Sequence, residues 1–148
     1  MMLNFRIFAV LAVPMLTLAV PTPVENPELF KRVISGAQGV DCGVTKFTAV
    51  VVEAAAQQAA NYINSGVSAG RGNYPHQFYN RQGFVFLAGC NAPFYVFPIM
   101  NSGIYNGSVT GPDRVVIGSV KGTDAAFCGV LTRTGGRGPD GFLQCTVI

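Results

Sequence analysis

The spacing of hydrophobic residues is helical in one early segment of the chain. Over 44–63 apolar side chains recur every three or four positions, which is the spacing of one face of an α-helix. These positions are Phe47, Val51, Ala55, Ala59 and Tyr62. Alanine and glutamine, both good helix formers, fill much of the remainder. Thr45 or Thr48 is suited to cap the start, and Gly66 is suited to the left-handed position that ends a helix. The pattern predicts one long helix.

After this helix the pattern changes to short aromatic and β-branched runs, separated by clusters of Gly, Asn, Ser, Pro and Asp. Such runs predict strands, and the clusters predict turns. The predicted strands cover 83–87, 94–99, 114–117, 127–131 and 142–146. One helix followed by several strands predicts a single α+β domain, with the helix packed on one face of an antiparallel sheet. We find no internal repeat and no second domain.

The N-terminal segment is typical of a secretory signal peptide. Arg6 precedes an apolar run, Ile7 to Val20, which is short for a membrane span and contains Pro14. A small-x-small pattern at 17–19 suits signal cleavage. We expect a signal peptide over 1–19 and a secreted, extracellular protein that has no membrane association after cleavage.

A proline-rich stretch follows and ends at the dibasic pair Lys31-Arg32. Processing proteases cut at such pairs, although the pair also occurs by chance. We expect a pro-segment over 20–32 and a mature domain over 33–148, which we expect to be a monomer.

The four cysteines all lie in the expected mature domain. An even number in a secreted chain predicts two disulfides, with three possible pairings. They are Cys42, Cys90, Cys128 and Cys145. With one histidine and no C-x-x-C spacing, we expect no metal site and no cofactor.

His76 is the only histidine in the chain and carries the first candidate chemistry. Tyr74 precedes it by two positions, so the two rings share one side of an extended segment. Arg114 and Arg133 lie at ends of predicted strands, and guanidinium groups beside a phenol and an imidazole suit a phosphodiester. Taken alone, the spacing favours an ordinary histidine and solvated arginines. The net charge of +3 does not by itself indicate a polyanionic partner.

Three segments of the sequence favour the phosphodiester site over an ordinary histidine and solvated arginines. The first segment, at 73–79, reads Asn-Tyr-Pro-His-Gln-Phe-Tyr. The second joins Tyr-Val-Phe-Pro-Ile at 95–99 to Gly-Pro-Asp-Arg-Val-Val at 111–116. The third joins Val-Leu-Thr-Arg-Thr-Gly at 130–135 to Phe-Leu-Gln-Cys at 142–145. In this order, and with the helix and the cysteines, they resemble the secreted fungal guanyl- and purine-specific ribonucleases of the T-one type. The purine-specific branch looks most similar.

The resemblance covers nearly all of the expected mature domain. It implies one long helix packed on a curved antiparallel sheet whose concave face binds RNA. It also implies two disulfides, Cys42–Cys145 and Cys90–Cys128.

Family members cleave RNA by attack of the 2′-oxygen on the adjacent phosphate. In the resemblance, Tyr74, His76 and Arg114 occupy matching catalytic positions. Val96, however, replaces the family's general-base glutamate, and Arg133 replaces the histidine that protonates the leaving oxygen. Valine has no proton acceptor, and arginine is a poor acid at neutral pH. Because each placed acid or base is worth roughly 10²–10⁴ in rate, we expect little catalysis.

The remaining site residues are expected to contact RNA. Tyr79, Asn80 and Gln82 lie in the segment that matches the family's base-binding loop. Phe142 matches the aromatic residue near the leaving group, and Arg133 adds fixed positive charge. Gln82 could accept one hydrogen bond but lacks the carboxylate charge often found in that loop of the family, so the resemblance alone does not imply guanine specificity.

The favoured hypothesis is a secreted, catalytically impaired ribonuclease-like protein that binds single-stranded RNA or a host protein through the remnant active-site face. In this it resembles the ribonuclease-like effectors of plant-pathogenic fungi, which implies delivery into a host. One alternative is an active guanyl- or purine-preferring endoribonuclease that forms 2′,3′-cyclic phosphates. Another is a protein-binding domain without RNA contact.

Overall fold

The computed structural model describes residues 33–138 and 141–148, together with positions 12 and 14. Apart from those two positions, the expected signal peptide over 1–19 and pro-segment over 20–32 lie outside the described residues. From residue 33 onward the chain belongs to one compact unit, Arg32–Ile148. Within the described part of the chain, no helix has the length and apolar character needed to cross a membrane.

The unit contains one helix and nine strands among its described residues. In chain order they are β1 (Ile34–Ser35), β2 (Val40–Asp41), β3 (Lys46–Phe47), α1 (Ala49–Ser65), β4 (His76–Phe78), β5 (Phe94–Pro98), β6 (Asp113–Lys121), β7 (Asp124–Thr132), β8 (Leu143–Gln144) and β9 (Thr146–Val147). The larger sheet has the order β1-β7-β6-β5-β4, and β8 also pairs with β7. All of its pairs are antiparallel except β1 with β7. A smaller antiparallel sheet has the order β3-β2-β9. The predicted α+β fold is confirmed.

The helix packs on β5, β6 and β7 through a face of small residues. Its buried positions are Val52, Ala55, Ala56, Ala59 and Ala60. Because alanine side chains are short, the helix backbone lies close to the sheet. The predicted start at residue 44 is wrong, since Lys46 and Phe47 pair with β2 as strand β3. Thr48 caps the helix by accepting a hydrogen bond from the Val51 N–H at 3.3 Å. Gly66 ends it at φ 66°, as predicted.

The predicted strand over 83–87 is wrong. Both backbone polar groups of Phe84 bond to the Asn80 side chain: the Phe84 N–H donates to Oδ1 at 2.8 Å, and Nδ2 donates to the Phe84 carbonyl at 2.9 Å. These groups are therefore not available to a neighbouring strand. The rings of Phe84 and Phe86 instead pack around Phe78, with centroids 6.5 and 6.4 Å away. The hydrophobic run supplies packing without a sheet.

The C-terminal run is also divided. Cys145 interrupts the predicted strand over 142–146, so that β8 joins the large sheet and β9 joins the small one. The bonds Cys42–Cys145 and Cys90–Cys128 are both present, which confirms the pairing implied by the resemblance. The first closes a sequence separation of 103 residues and ties the small sheet to the end of the chain.

Candidate functional site

A cleft of about 230 Å³ opens over the β4 end of the large sheet. It collects side chains from β4 to β6, from the loop after β4 and from the ends of β7 and β8. The lining residues are Tyr74, His76, Gln77, Phe78, Tyr79, Asn80, Arg81, Gln82, Val96, Arg114, Arg133 and Phe142. All the predicted catalytic and RNA-binding positions therefore lie around one cleft. The described lining contains three arginines and one histidine, and no aspartate or glutamate.

The register of the sheet explains this convergence. His76 on β4 lies opposite Val96 on β5, and Arg114 on β6 lies opposite Pro98 on the same strand. Arg133 follows β7 directly, and its backbone N–H donates to the Pro112 carbonyl at 2.9 Å. Residues far apart in sequence are thus placed side by side by four adjoining segments.

Arg114 is the anchor of the cleft. Its side chain is buried, with 4% of the residue exposed. Nε donates to the Tyr74 hydroxyl at 3.1 Å, and Nη1 donates to the Gly111 and Asp113 carbonyls at 2.6 and 2.8 Å. Nη2 donates to Thr110 Oγ1 at 3.3 Å. Four of its five N–H groups are therefore engaged within the protein. The guanidinium is fixed in orientation, and one Nη2 hydrogen has no acceptor among the residues that the structure describes.

Tyr74 and His76 form a stacked pair at the entrance to β4. Their ring centroids are 4.8 Å apart with an interplanar angle of 28°. Tyr74 is buried, and its ring also meets the Tyr105 ring edge-on at 6.0 Å. His76 is exposed, and its Nδ1 lies 3.2 Å from the Gln77 carbonyl oxygen. The carbonyl can only accept, so a proton on Nδ1 would make this contact a hydrogen bond and would leave Nε2 to accept a proton from elsewhere.

Val96 places an aliphatic side chain where the sheet brings β5 against His76. It is 2% exposed and belongs to the hydrophobic core as well as to the cleft wall. A proton acceptor is therefore absent from the residue that directly faces His76 across the strand pair.

Arg133 and Phe142 together form one wall of the cleft, here called the cationic wall. The guanidinium carbon of Arg133 lies 4.9 Å from the centroid of the Phe142 ring, a cation–π arrangement. Arg133 is exposed while Phe142 is buried, so the ring supports the cation from beneath. Thr132 on β7 pairs with Leu143 on β8, and this pairing brings their chain neighbours Arg133 and Phe142 together.

The loop over 79–83 is closed by its own side-chain amides. Asn80 bonds to Phe84 as described above. Gln82 Nε2 donates to the Phe142 carbonyl at 3.1 Å, and the Phe142 N–H donates to Gln82 Oε1 at 3.3 Å. The RNA contacts predicted for these two residues remain predictions, but both amides are engaged within the protein.

Arg81 was not among the predicted site residues, although it lines the cleft. Its guanidinium carbon lies 5.7 Å from the centroid of the exposed Tyr79 ring. A basic residue two positions after an aromatic one in a polar loop is the signal that could have identified it.

Asp113 lies beneath the site and outside the cleft lining. It is 3% exposed, and burial raises the pKa of its carboxyl above the ordinary value of 3.8. A hydrogen bond with Thr132 and the charge of Arg114 oppose that shift without cancelling it. Asp113 is the first residue of β6, and its buried carboxyl therefore has a structural role.

The comparisons with known proteins agree with this architecture. Residues 35–146 match the sequence model of the family described as ribonuclease. The chain is 35% identical over 145 residues to guanyl-specific ribonuclease F1 of Fusarium fujikuroi, covering 98% of each chain. It is 39% identical over 105 residues to the extracellular guanyl-specific ribonuclease Fl1 of Gibberella baccata, covering 71% of this chain and 93% of that protein. The structure of a ribonuclease from Hericium erinaceus, RNase He1, superposes with a TM-score of 0.51 at 30% identity, covering 73% of this chain and 98% of that one.

The chain belongs to the ribonuclease family. The resemblance to secreted fungal ribonucleases and the fold that it implied are both confirmed.

Proposed function

We propose that this protein is a secreted member of the ribonuclease family that binds single-stranded RNA in the cleft and cleaves it slowly or not at all. One observation carries the proposal. The described cleft lining retains Tyr74, His76 and Arg114 and contains three arginines in all, but it has no carboxylate. Such a site attracts a phosphodiester and lacks a strong base to activate the ribose hydroxyl.

The binding half of the proposal rests on fixed positive charge and on aromatic surface. Arg114 is held rigidly with one N–H left to donate, and Arg133 lies over the Phe142 ring. The exposed Tyr79 ring offers a face on which a base can stack. Phosphate contacts and base stacking are sufficient to hold a single strand without sequence recognition.

The weak-cleavage half follows from the proton transfers of the reaction. Attack of the 2′-oxygen on phosphorus requires loss of the hydroxyl proton, and breakage of the bond to the 5′-oxygen requires a proton for the leaving group. His76 Nε2 can accept the first proton, but Val96 provides no carboxylate to assist it. Arg133 holds its protons too tightly to supply the second. Loss of one positioned acid or base costs roughly 10²–10⁴ in rate.

A second candidate function is active RNA cleavage with a guanine or purine preference. The names of the relatives favour it, since ribonucleases F1 and Fl1 are both described as guanyl-specific. In this case His76 would serve as base, and water or Tyr74 would serve as an imperfect acid. Secretion suits either candidate, because ribonuclease Fl1 is named as extracellular.

The deciding experiment uses purified protein expressed as the full chain and a fluorescent single-stranded RNA oligonucleotide. Anisotropy measures binding, and denaturing electrophoresis of the same mixtures measures cleavage. We expect saturable binding while the oligonucleotide remains intact. Robust turnover with 2′,3′-cyclic phosphate ends, abolished by His76→Ala, would establish the second candidate instead. No detectable affinity would overturn both and favour a protein partner.

A charge-matched control separates the cleft from general electrostatics. Arg133→Ala removes one exposed cation from the cleft, and Lys121→Ala removes one from the opposite end of the sheet, at the end of β6. Each phosphate contact on a single strand contributes about 0.7 to the slope of log affinity against log salt. We expect Arg133→Ala to lower the slope by about that amount and Lys121→Ala to leave it unchanged.

A further inference from the structure

Gln82 forms a two-bond clamp on Phe142, defined as the pair of hydrogen bonds between the Gln82 amide and the Phe142 backbone. The nitrogen donates to the carbonyl at 3.1 Å and the oxygen accepts from the N–H at 3.3 Å. An amide satisfies both groups only in this orientation, so both of its polar atoms face Phe142. The two residues are 60 positions apart in the sequence.

The same loop contains a second side-chain amide that makes two hydrogen bonds to the backbone of one residue. Asn80 makes its own pair of bonds to the Phe84 backbone, and the Gly83 N–H donates to the Asn80 carbonyl at 3.0 Å. Both side-chain amides that the loop over 79–83 contains are therefore directed at the protein backbone. The side chains that remain directed outward are Tyr79 and Arg81, an aromatic ring and a cation lying against each other.

Recognition of a base needs hydrogen-bonding groups aimed at its edge, whereas stacking on a ring accepts any base. The side chains that this loop presents are therefore suited to stacking and to phosphate contact. We propose that Gln82 is a positioning residue that clamps Phe142 beneath Arg133, and that the Gln82 side chain takes no part in selecting the base. This inference rests on the proposed RNA binding and specifies the part that Gln82 takes in it.

The clamp also connects the loop to the cationic wall. Phe142 is the ring over which Arg133 lies, with 4.9 Å between the guanidinium carbon and the ring centroid. Loss of the clamp loosens the Phe142 backbone and with it the ring over which Arg133 lies. Gln82 therefore acts on RNA through Phe142 and Arg133 rather than by touching a base.

The clamp can be measured without RNA by amide hydrogen exchange at Phe142. In the unchanged protein this N–H is bonded and its residue is buried, so its exchange is expected to be slow. Gln82→Ala removes the acceptor and is expected to accelerate exchange at Phe142 by about tenfold or more. Gln58→Ala, a glutamine of the helix outside the cleft lining, is the matched control and should leave that exchange unchanged. Equal exchange in the unchanged protein and in Gln82→Ala would overturn the clamp.

Selectivity is measured with four single-stranded oligonucleotides of equal length, each containing one base type. We expect the ratios among the four affinities to be the same in the unchanged protein and in Gln82→Ala within about threefold, because the Gln82 amide faces the Phe142 backbone and not a base. Gln82→Ala should weaken all four to a similar extent. Gln82→Glu cannot donate to the Phe142 carbonyl. Repulsion between the carboxylate and that carbonyl turns the side chain away from Phe142, and the carboxylate can then accept from the N–H edge of guanine. We expect this variant to prefer guanine over adenine by about fivefold or more, since one well-formed pair to a base edge discriminates on that scale.

The outcomes separate this inference from the proposed function. RNA binding with a guanine preference of tenfold or more, lost in Gln82→Ala, would show that Gln82 contacts the base; the inference would fall while RNA binding stood. Absence of binding to all four oligonucleotides would overturn the proposed function, and the base-selection part of the inference with it. Even then the exchange experiment would decide whether Gln82 holds Phe142.

Discussion

Val96 lies directly opposite His76 across the antiparallel pair β4–β5. Residues directly opposite each other have the shortest distance between side chains that neighbouring strands of a sheet provide. This pairing places an aliphatic group of the core beside the only imidazole of the chain. A carboxylate at residue 96 would therefore be positioned to assist His76 in accepting the proton of the ribose hydroxyl. Its absence is the reason for the proposed loss of catalysis.

Restoring both missing groups should restore cleavage. In Val96→Glu with Arg133→His, a carboxylate faces His76 and a titratable imidazole stands at the end of β7. We expect the rate of RNA cleavage to rise by at least about 10²-fold, the lower bound for one positioned acid or base. Release of fluorescence from a quenched RNA substrate provides the measurement.

Val96→Gln with Arg133→His is the matched control for that experiment. Glutamine has the shape of glutamate but cannot take up a proton at neutral pH. If the control cleaves as fast as the restored variant, the carboxylate is not acting as a base. If neither variant gains activity while both remain folded by circular dichroism, the loops around the cleft have departed from a catalytic geometry.

Arg114 should prove to be as important for stability as for binding. Arg114→Lys keeps the charge, but a single ammonium cannot reach the four acceptors held by the guanidinium. Leaving buried acceptors unsatisfied is expected to lower the free energy of unfolding by about 3 kcal/mol. Urea denaturation measures this as a lower midpoint at an unchanged slope.

Two comparisons test the cause of that loss. Tyr74→Phe removes only the acceptor of Nε and should cost about 1–2 kcal/mol. Lys121→Met removes an exposed charge from the far end of β6 and should change stability by less than about 0.5 kcal/mol. An Arg114→Lys midpoint equal to that of the unchanged protein would mean that the four bonds contribute no net stability.

The site could be predicted where its chemistry depends on local sequence. The Tyr-Pro-His run fixes Tyr74 and His76 on one side of a short segment, and the structure stacks them. Arg114 could be placed because it follows a turn and opens a strand. The helix could be predicted for the same reason, although pairing of Lys46 and Phe47 with β2 moved its start.

The unpredicted features depend on partners that are distant in sequence or on side chains that replace backbone bonds. Phe84 has the composition of a strand residue, but the Asn80 side chain takes its hydrogen bonds. The partner of Gln82 lies in a segment whose position is set by the β7–β8 pairing and by the Cys42–Cys145 bond. Neither periodicity nor residue type contains that information, because the same glutamine in solvent would have the same pattern around it.

Gly70 is predicted to be intolerant of any side chain because of Tyr105. Its φ of 72° is unfavourable for other residues, and a Cβ there would overlap the Tyr105 hydroxyl and lie 3.0 Å from Cζ. Tyr105 is buried against Tyr74, so a displaced ring would also disturb the acceptor of Arg114. We expect Gly70→Ala to be destabilised by about 2–4 kcal/mol in urea denaturation, combining backbone strain with overpacking.

Gly36 offers a control with the same backbone conformation. Its φ is 75°, but a Cβ there would meet no atom of the described residues within 4 Å. Gly36→Ala should therefore cost only the strain of the left-handed conformation, about 1 kcal/mol. Equal losses for the two variants would show that contact with Tyr105 adds nothing and that φ alone decides.

The buried carboxyl of Asp113 should make stability depend on pH in the direction opposite to that of an ion-paired aspartate. Burial raises its pKa in the folded protein above the ordinary value of 3.8. Below 3.8 the group is protonated in both states, and the folded protein bears no cost for it. As the pH rises toward the folded pKa, the unfolded chain releases its proton first, so the free energy of unfolding falls by up to about 1.4 kcal/mol per pH unit.

Asp113→Asn isolates this effect because asparagine stays neutral and can still accept from Thr132. We expect the unchanged protein to lose stability relative to Asp113→Asn as the pH is raised from below 3.8 to neutrality, and the difference to level off above the folded pKa. Thr132→Val removes the hydrogen bond that lowers the pKa, so in that background the loss should continue to a higher pH. Urea denaturation across the pH range measures all three proteins. A difference between the unchanged protein and Asp113→Asn that does not vary with pH would show that the carboxyl titrates alike in the folded and unfolded chains, contrary to the cost of its burial.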